Sequence, residues 1–278
     1  MAILNFIPTI WSENLYEELN SQYIAVANCN REYEGEIKNQ GSSVKICGVG
    51  TVTVNDYTKN TNMSEPQTLS DTSRELVIDQ AKYFNFQIDD IDRAQASPKL
   101  MGAAMKIAAN ALATQADKFV FRLYASAGKT IVANQVNEET ILDHFIDAIT
   151  ELRQNNVTDT EQVVIEISPA VAAIILKSKI NLLSDKETLE TGCIGTIAGC
   201  KVFVSNNVSR ITDSGSIGYF CFVRTKRAIA FAEQLSEIEA YRPEKRFSDA
   251  VKGLHLYGAK VVYPSEFVTL RINIPSAA

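Results

Sequence analysis

Residues 37–75 carry the first strong pattern of the chain, an alternation of apolar and polar side chains. The alternating apolar residues are Val44, Ile46, Val52 and Val54. Strict alternation predicts β-strands, and Gly48 and Gly50 separate the two runs. The segment should therefore form a long two-stranded ribbon with almost nothing of its own to bury. An isolated ribbon is marginally stable in water, and its open edges invite pairing with another chain, so the pattern predicts self-assembly rather than catalysis.

A helical pattern of unusual length covers residues 98–125. Ser97 is a suitable N-cap, and Pro98 occupies the first helical position. Gly128 is placed to end the helix. The apolar stripe consists of Met101, Met105, Ala108, Leu112, Ala116, Phe119 and Leu123. About 28 residues at 1.5 Å each give a rod of roughly 40 Å, and its alanines suit close packing against a sheet.

Shorter patterns predict the remaining elements. Ser12 is placed to cap an N-terminal helix, and Asn137 to cap a helix over 138–154. Ser168 begins a third helix that runs through Leu176. Predicted strands cover residues 74–91, 163–167, 197–205, 217–224, 227–232, 252–263 and 266–274. Helices and strands follow each other without regular βαβ repeats, which favours the α+β fold class over a doubly wound sheet.

Composition narrows the class of protein. The 278 residues are 46% hydrophobic and 22% charged, which is typical of one large globular domain or two closely packed ones. The formal net charge is −6 and the isoelectric point is about 5.2, so a dedicated nucleic-acid-binding surface is not expected. No apolar run approaches the ~20 residues of a membrane span, and the N-terminus lacks the features of a signal peptide. Reduced thiols are expected for the five scattered cysteines, Cys29, Cys47, Cys193, Cys200 and Cys221.

Motifs for catalysis are weak. The two histidines, His144 and His255, are interpreted as an ordinary surface residue and an ordinary strand residue. Gly128-Lys129 resembles the end of a P-loop, but the first glycine of that motif is missing, so a helix C-cap is the better interpretation. Paired carboxylates can bind a cation or share a proton, although capping and surface ion pairs explain the one acidic cluster more simply. That cluster consists of Asp89, Asp90 and Asp92.

Charged residues of the ribbon and of a later loop are the candidate assembly contacts. The loop at 241–246, Tyr-Arg-Pro-Glu-Lys-Arg, carries both signs of charge, which suits contact with a neighbouring subunit of mixed charge. The candidate interface residues are Lys45, Lys59, Arg74, Arg242, Glu244 and Arg246. No catalytic residue, metal or cofactor is predicted.

Several segments, in order along nearly the whole chain, resemble the major capsid proteins of tailed bacteriophages. They are residues 6–19 (beginning Phe-Ile-Pro-Thr-Ile-Trp-Ser), 30–35, 79–86, 89–92, 195–206 and 249–261. Each segment is weakly specific alone, and their order makes the set specific. The resemblance implies the Hong Kong 97-type capsid fold, with an N-terminal arm, an extended β-hairpin loop, a long spine helix, and peripheral and axial domains.

The same resemblance implies domain limits. They are an arm at 1–33, an extended loop at 34–76, a peripheral domain at 77–137 and 241–278 that contains the spine helix at 98–125, and an axial domain at 138–240.

The implied function is that of a major capsid protein that forms the hexamers and pentamers of an icosahedral head around double-stranded DNA. Implied partners are other copies of the chain, a separate scaffolding protein, a portal protein and the enclosed DNA, with no membrane contact. Assembly is expected in the bacterial host cytoplasm, and the product in the virion capsid. Two alternatives stay open: an encapsulin-like nanocompartment shell, and a metal-dependent enzyme that uses the acidic cluster at 89–92.

Overall fold

The computed structural model of the chain describes residues 15, 17–33, 43–49, 54, 56–57, 59, 62, 65, 71–89, 100–134, 136–157, 162–178, 193–213, 215–244 and 248–275. The principal helices in these ranges are α1 (Leu100–Phe121), α2 (Ile141–Gln154) and α3 (Pro169–Lys177). Residues 15 and 17–22 are also helical and are called the N-terminal helix below. A 3-10 turn at Arg122–Ser126 follows α1 directly.

The described strands lie in three sheets. A ribbon pairs β1 (Ser43–Val49) with β2 (Asp71–Val77). The second sheet has the order β10 (Ile229–Tyr241), β11 (Ser248–Val261) and β3 (Gln80–Asp89). The central sheet has the order β4 (Lys129–Ala133), β12 (Phe267–Pro275), β9 (Ser216–Thr225), β5 (Val163–Ile167), β7 (Cys200–Val204) and β6 (Cys193–Ile197), and β8 (Arg210–Asp213) pairs with β9.

The central sheet buries both of its faces, because its strands alternate between two apolar cores. On β9, Cys221 and Val223 belong to the core beneath α2 and α3, whereas Phe222 belongs to the core beneath α1. The apolar stripe of α2 explains its position, since Phe145 and Ile149 recur at helical spacing and are buried. The helices α2 and α3 therefore cover one face of the central sheet, and the C-terminal half of α1 covers the other.

The second sheet lies between α1 and the ribbon. On β11, Tyr257 faces α1 and contacts Phe119, with ring centroids 5.6 Å apart, while Leu256 packs in the core that contains the ribbon. The close approach of β11 to the end of β2 requires Gly258, because a Cβ at that position would lie 2.2 Å from the carbonyl oxygen of Val77. This contact places the end of the ribbon directly on β11.

Most elements predicted from periodicity are confirmed. The helix predicted at 98–125 is present as α1 and its 3-10 turn, and the Ser97 cap lies outside the described residues. The helix predicted over 138–154 begins later, at Ile141, with Thr140 in the N-cap position. Asn137 caps only the preceding turn, since its Oδ1 accepts hydrogen bonds from the Glu139 and Thr140 backbone N–H groups. The Ser168 cap is also confirmed, because its side chain accepts from the Val171 N–H. The strands predicted at 217–224, 252–263 and 266–274 correspond to β9, β11 and β12.

The interpretation of Gly128 as a helix C-cap is wrong. α1 ends at Phe121, and Gly128 precedes β4 with its N–H donating to the Pro264 and Phe267 carbonyl oxygens. A Cβ there would lie 2.2 Å from the Pro264 oxygen, so close packing against this turn requires the glycine. Three short strands, β4, β6 and β8, were not predicted, and the strand predicted at 227–232 extends to Tyr241.

The prediction that the ribbon has almost nothing to bury is wrong at its base. Val44 and Ile46 are 3% exposed and pack with Leu76, Ala230 and Leu256 of the same chain. Farther along, Val54 is 92% exposed. The interpretation of Gly48 as a pivot between strands is also wrong, because Gly48 lies within β1 opposite Thr72.

Candidate functional site

The N-terminal segment, residues 17–33, packs against the rest of its own chain through a set of buried apolar side chains. Leu19, Ala25 and Val26 are fully buried and belong to the core that contains Ala113 and Val120 of α1. The limits of the predicted arm at 1–33 stay a prediction. Within that range, three buried contacts of charged side chains fix the described residues to the rest of the subunit.

The first buried contact joins α1 to the N-terminal segment. Asp117 is 1% exposed, and its carboxylate accepts hydrogen bonds from three successive backbone N–H groups. The donor–acceptor distances are 3.2 Å for Ile24, 3.0 Å for Ala25 and 3.1 Å for Val26. Burial raises the pKa of Asp117 to about 6, against the lowering effect of these donors. The contact explains why an acidic residue lies on the apolar side of α1.

This pKa predicts how stability changes with pH. The unfolded carboxyl ionises near pH 3.8, whereas folded Asp117 retains its proton up to about pH 6. The stabilisation from the raised pKa is therefore fully present below pH 3.8 and is lost as the pH rises to about 6. Between these values, the free energy of unfolding of the wild type should fall by up to about 3 kcal/mol relative to that of Asp117→Asn.

Denaturant unfolding of both proteins at a series of pH values measures this difference. Asp143→Asn is the matched control, because it makes the same substitution at an exposed aspartate. A difference between wild type and Asp117→Asn that stays constant from pH 4 to 6.5 would contradict the raised pKa.

The second contact is an ion pair within the central sheet. Arg224 on β9 and Glu166 on β5 are both 0% exposed, and two parallel hydrogen bonds of 3.0 and 2.9 Å join them. Arg224 also donates to the carbonyl oxygens of Asn28, at 2.7 Å, and Ala25, at 3.1 Å. Although burial alone would lower the pKa of Arg224, the charge and hydrogen bonds of Glu166 raise it. One guanidinium thus connects the N-terminal segment to two strands.

The third contact centres on Glu233 of β10. Its carboxylate accepts a hydrogen bond from the Tyr23 hydroxyl, lies 2.8 Å from His255 Nε2 and pairs with Arg31 Nη2 at 2.5 Å. Burial, followed by the charge of Glu233, raises the pKa of Tyr23, which keeps its hydroxyl protonated as a donor. The interpretation of His255 as an ordinary strand histidine therefore misses a buried polar cluster that fixes the N-terminal segment to the second sheet.

The predicted interface residues lie in two parts of the structure. Lys45 and Arg74 are exposed on adjacent strands of the ribbon, and Arg74 Nη1 donates to the Val261 carbonyl oxygen at 3.0 Å. Arg242 and Glu244 are exposed just after β10. Lys59 is exposed between the ribbon strands, while Arg246 lies outside the described residues. No contact tests the role of these residues, which stays a prediction.

Other candidates for chemistry are structural where they are described. Lys129, from the P-loop-like string, forms an ion pair with Glu151 at 2.5 Å. Asp89 is the last residue of β3, and Asp90 and Asp92 lie outside the described residues. Among the residues that the structure covers, no three His, Cys, Asp or Glu side chains are grouped so that they could hold a metal ion. In the same residues, no helix is both long enough and apolar enough to cross a membrane.

Comparisons with known proteins agree with this architecture. The profile of the phage capsid protein family matches residues 72–270. A solved structure from Mycobacterium phage Che8 is 31% identical in sequence, with a TM-score of 0.69 over 90% of this chain and 91% of that chain. The capsid of Ralstonia phage GP4 has a TM-score of 0.69 at 12% identity, covering 93% of this chain and 90% of that one. A virus-like particle from Pyrococcus furiosus has a TM-score of 0.56 at 15% identity, with 93% and 96% covered. The last two likenesses concern the fold alone, and no curated protein matches the sequence.

Sheets packed around a long helix, together with these matches, define a subunit of a viral shell. The chain belongs to the phage capsid protein family. The predicted resemblance and the α+β capsid fold are thereby confirmed, and the role of the protein is structural, as a component of a bacteriophage capsid. The limits predicted for the arm, the extended loop and the two domains stay predictions.

Proposed function

We propose that this chain is the major capsid protein that forms the hexamers and pentamers of an icosahedral phage head. The observation that carries the proposal is the ribbon. Its base is anchored on β10 and β11 by buried apolar side chains, while Val54 and Tyr57, between its strands, are 92% and 73% exposed. Large apolar side chains so exposed on one subunit suit burial against a neighbour. Many modest contacts of this kind act together in a closed shell.

The proposed division of the chain follows the domain limits implied by the sequence. Residues 1–33 form the arm, 34–76 the extended loop, 77–137 with 241–278 the peripheral domain, and 138–240 the axial domain. In this scheme the three buried contacts hold the arm, the spine helix and both domains in one orientation, so that each subunit presents its loop at a constant angle. The interface residues predicted above, such as Lys45 and Arg242, complete the contacts between subunits.

The remaining partners are proposed from charge and from the resemblance. A net charge of −6 suits a container that encloses double-stranded DNA without binding it tightly, because tight phosphate contacts would oppose packaging. A separate scaffolding protein and a portal protein would direct assembly in the cytoplasm of the bacterial host. The assembled protein would reside in the virion capsid.

Electron microscopy and sedimentation of the full chain test this proposal. We expect closed icosahedral shells when the chain is produced together with the proteins encoded beside it in its genome. Chain that remains monomeric under those conditions would contradict a shell role. Closed shells from the chain alone, loaded with a cellular enzyme, would instead favour the encapsulin-like alternative.

A further inference from the structure

A groove of about 870 Å³ lies between the N-terminal helix, α1 and the loop at 205–211. Three cations line it, Lys118 and Arg122 from α1 and Arg210 from the start of β8, and its described lining contains no aspartate or glutamate. We call this surface the basic groove. Its remaining polar lining consists of hydroxyl and amide side chains, from residues such as Asn110, Thr114, Asn206 and Asn207.

The basic groove is formed by the fold of the subunit, and the described residues supply no carboxylate to it. Its floor is held by a hydrogen bond of 2.9 Å from Ser209 Oγ to the Phe121 carbonyl oxygen and by stacking of Tyr124 on Phe220, with centroids 4.0 Å apart. Its three cations are exposed, and none forms a hydrogen bond or ion pair with another described residue. By contrast, Lys106, one turn from Asn110 on α1, pairs with Glu18. Within the part of the chain that the structure describes, the groove therefore offers positive charge that no carboxylate neutralises.

The opposite charge is concentrated on α2 and the turn before it. Residues 138–152 contain five carboxylates and no lysine or arginine. Glu151 pairs with Lys129, whereas the other four are exposed and have no hydrogen bond or ion pair to a described residue. These four, Glu138, Glu139, Asp143 and Asp147, are called the acidic face. Ile146, which is 48% exposed, lies among them, just as Ile211, 42% exposed, lies in the lining of the basic groove.

The two surfaces lie on opposite faces of the central sheet. Phe220 of β9 lines the basic groove, whereas its neighbour Cys221 points into the core beneath α2. One subunit therefore cannot bring its own acidic face into its own groove. A second copy can, because a contact between two different surfaces of identical subunits repeats from copy to copy and closes into a ring when the rotation permits.

We propose that the acidic face of one subunit docks into the basic groove of the next, with Ile146 and Ile211 at the centre and the charges at the rim. Complementary charge of this kind selects the partner and its orientation. The partner is thus another copy of this chain, and the inference rests on the proposed shell function. Neither of these two surfaces contains any of the interface residues that were predicted from the sequence.

Charge exchange tests the contact. Lys118→Glu with Arg122→Glu reverses the groove, and Asp143→Lys with Asp147→Lys reverses the face. Each double variant alone should reduce the yield of closed shells at least about tenfold, because like charges then meet at every such contact. Combining all four substitutions in one chain should restore the yield. Lys226→Glu with Lys260→Glu makes the same change in net charge as the groove variant, at exposed positions outside the groove, and should assemble normally.

Mixing the two double variants provides a second measurement that does not require a closed shell. Each variant repels itself, whereas the reversed groove of one attracts the reversed face of the other. Sedimentation velocity should therefore show capsomer-sized species in the mixture and monomers in each variant alone, with melting temperatures equal to that of the wild-type monomer. Normal assembly of either double variant overturns the proposal. The proposal is also overturned if assembly is lost and neither mixing nor the variant with all four substitutions restores it. That result would indicate that the groove binds an acidic partner protein or nucleic acid. Wild-type chain that forms no shell at all contradicts the shell function itself.

Discussion

Replacing Glu166 with alanine should lower the free energy of unfolding of the unassembled subunit by about 3–5 kcal/mol. The substitution leaves the guanidinium of Arg224 fully buried with its counter-charge removed. The carbonyl oxygens of Asn28 and Ala25 still accept its hydrogen bonds, but they cannot replace a carboxylate. Breaking a buried ion pair leaves an uncompensated charge in the protein interior. The loss of stability should therefore be much larger than that from the lost hydrogen bonds alone.

A surface ion pair provides the matched control. Glu239 lies 2.7 Å from Lys252, and these side chains are 59% and 50% exposed. Glu239→Ala also removes one carboxylate from an ion pair, yet it should change stability by only about 0–1 kcal/mol, because water solvates the remaining lysine. Denaturant unfolding of both variants measures the two effects. The protein concentration is kept low enough for the subunit to be monomeric, because assembly adds to apparent stability. Equal effects of the two substitutions would contradict the structural role of the buried pair.

Elements with strong local periodicity could be predicted from the sequence alone. α1 follows from apolar residues at helical spacing, and β3 from the alternation in which Phe84 and Phe86 are half-buried while Tyr83 is exposed. Such patterns depend only on neighbours along the chain, so no knowledge of the fold is needed. The strands β4 and β8 show no such pattern, since most residues of β4 and all of β8 lie outside the core. Pairing with β12 and β9, distant in sequence, determines them.

The sequence indicates that some charged residues are buried, but it does not indicate which of them form ion pairs with each other. Glu166 interrupts the apolar run Val-Val-Ile-Glu-Ile, and Arg224 ends the run Phe-Cys-Phe-Val-Arg, so each sequence predicts a charge in a buried strand. Their partnership joins residues 58 positions apart, and the bond between Tyr23 and Glu233 spans 210 positions. A single sequence holds no information on which distant charges meet. The candidate site, chosen from charged residues of the ribbon and of the loop at 241–246, therefore omitted the cluster that orients the N-terminal segment.

The ribbon combines a predictable pattern with an unpredictable anchor. Its alternation predicts strands correctly, but the surface that receives Val44 and Ile46 comes from β10 and β11, far along the chain. Deleting the whole predicted ribbon, residues 37–75, would therefore remove part of the core together with the proposed interface. A cut between Val49 and Asp71 avoids this, because those residues are paired at the last described position of the ribbon.

Replacing residues 50–70 with Asn-Gly, which favours a two-residue hairpin turn, should abolish shell assembly while the subunit stays folded. The buried base and its contact with Gly258 are retained, so the melting temperature of the monomer should remain within about 2 °C of the wild type. A variant that carries a Gly-Ser segment of unchanged length should also fail, because the side chains between the strands, including Val54 and Tyr57, supply the contact with the neighbour. Electron microscopy and sedimentation after production with the neighbouring phage proteins measure the outcome. Closed shells at wild-type yield from the Asn-Gly variant would show that the ribbon is not an assembly element.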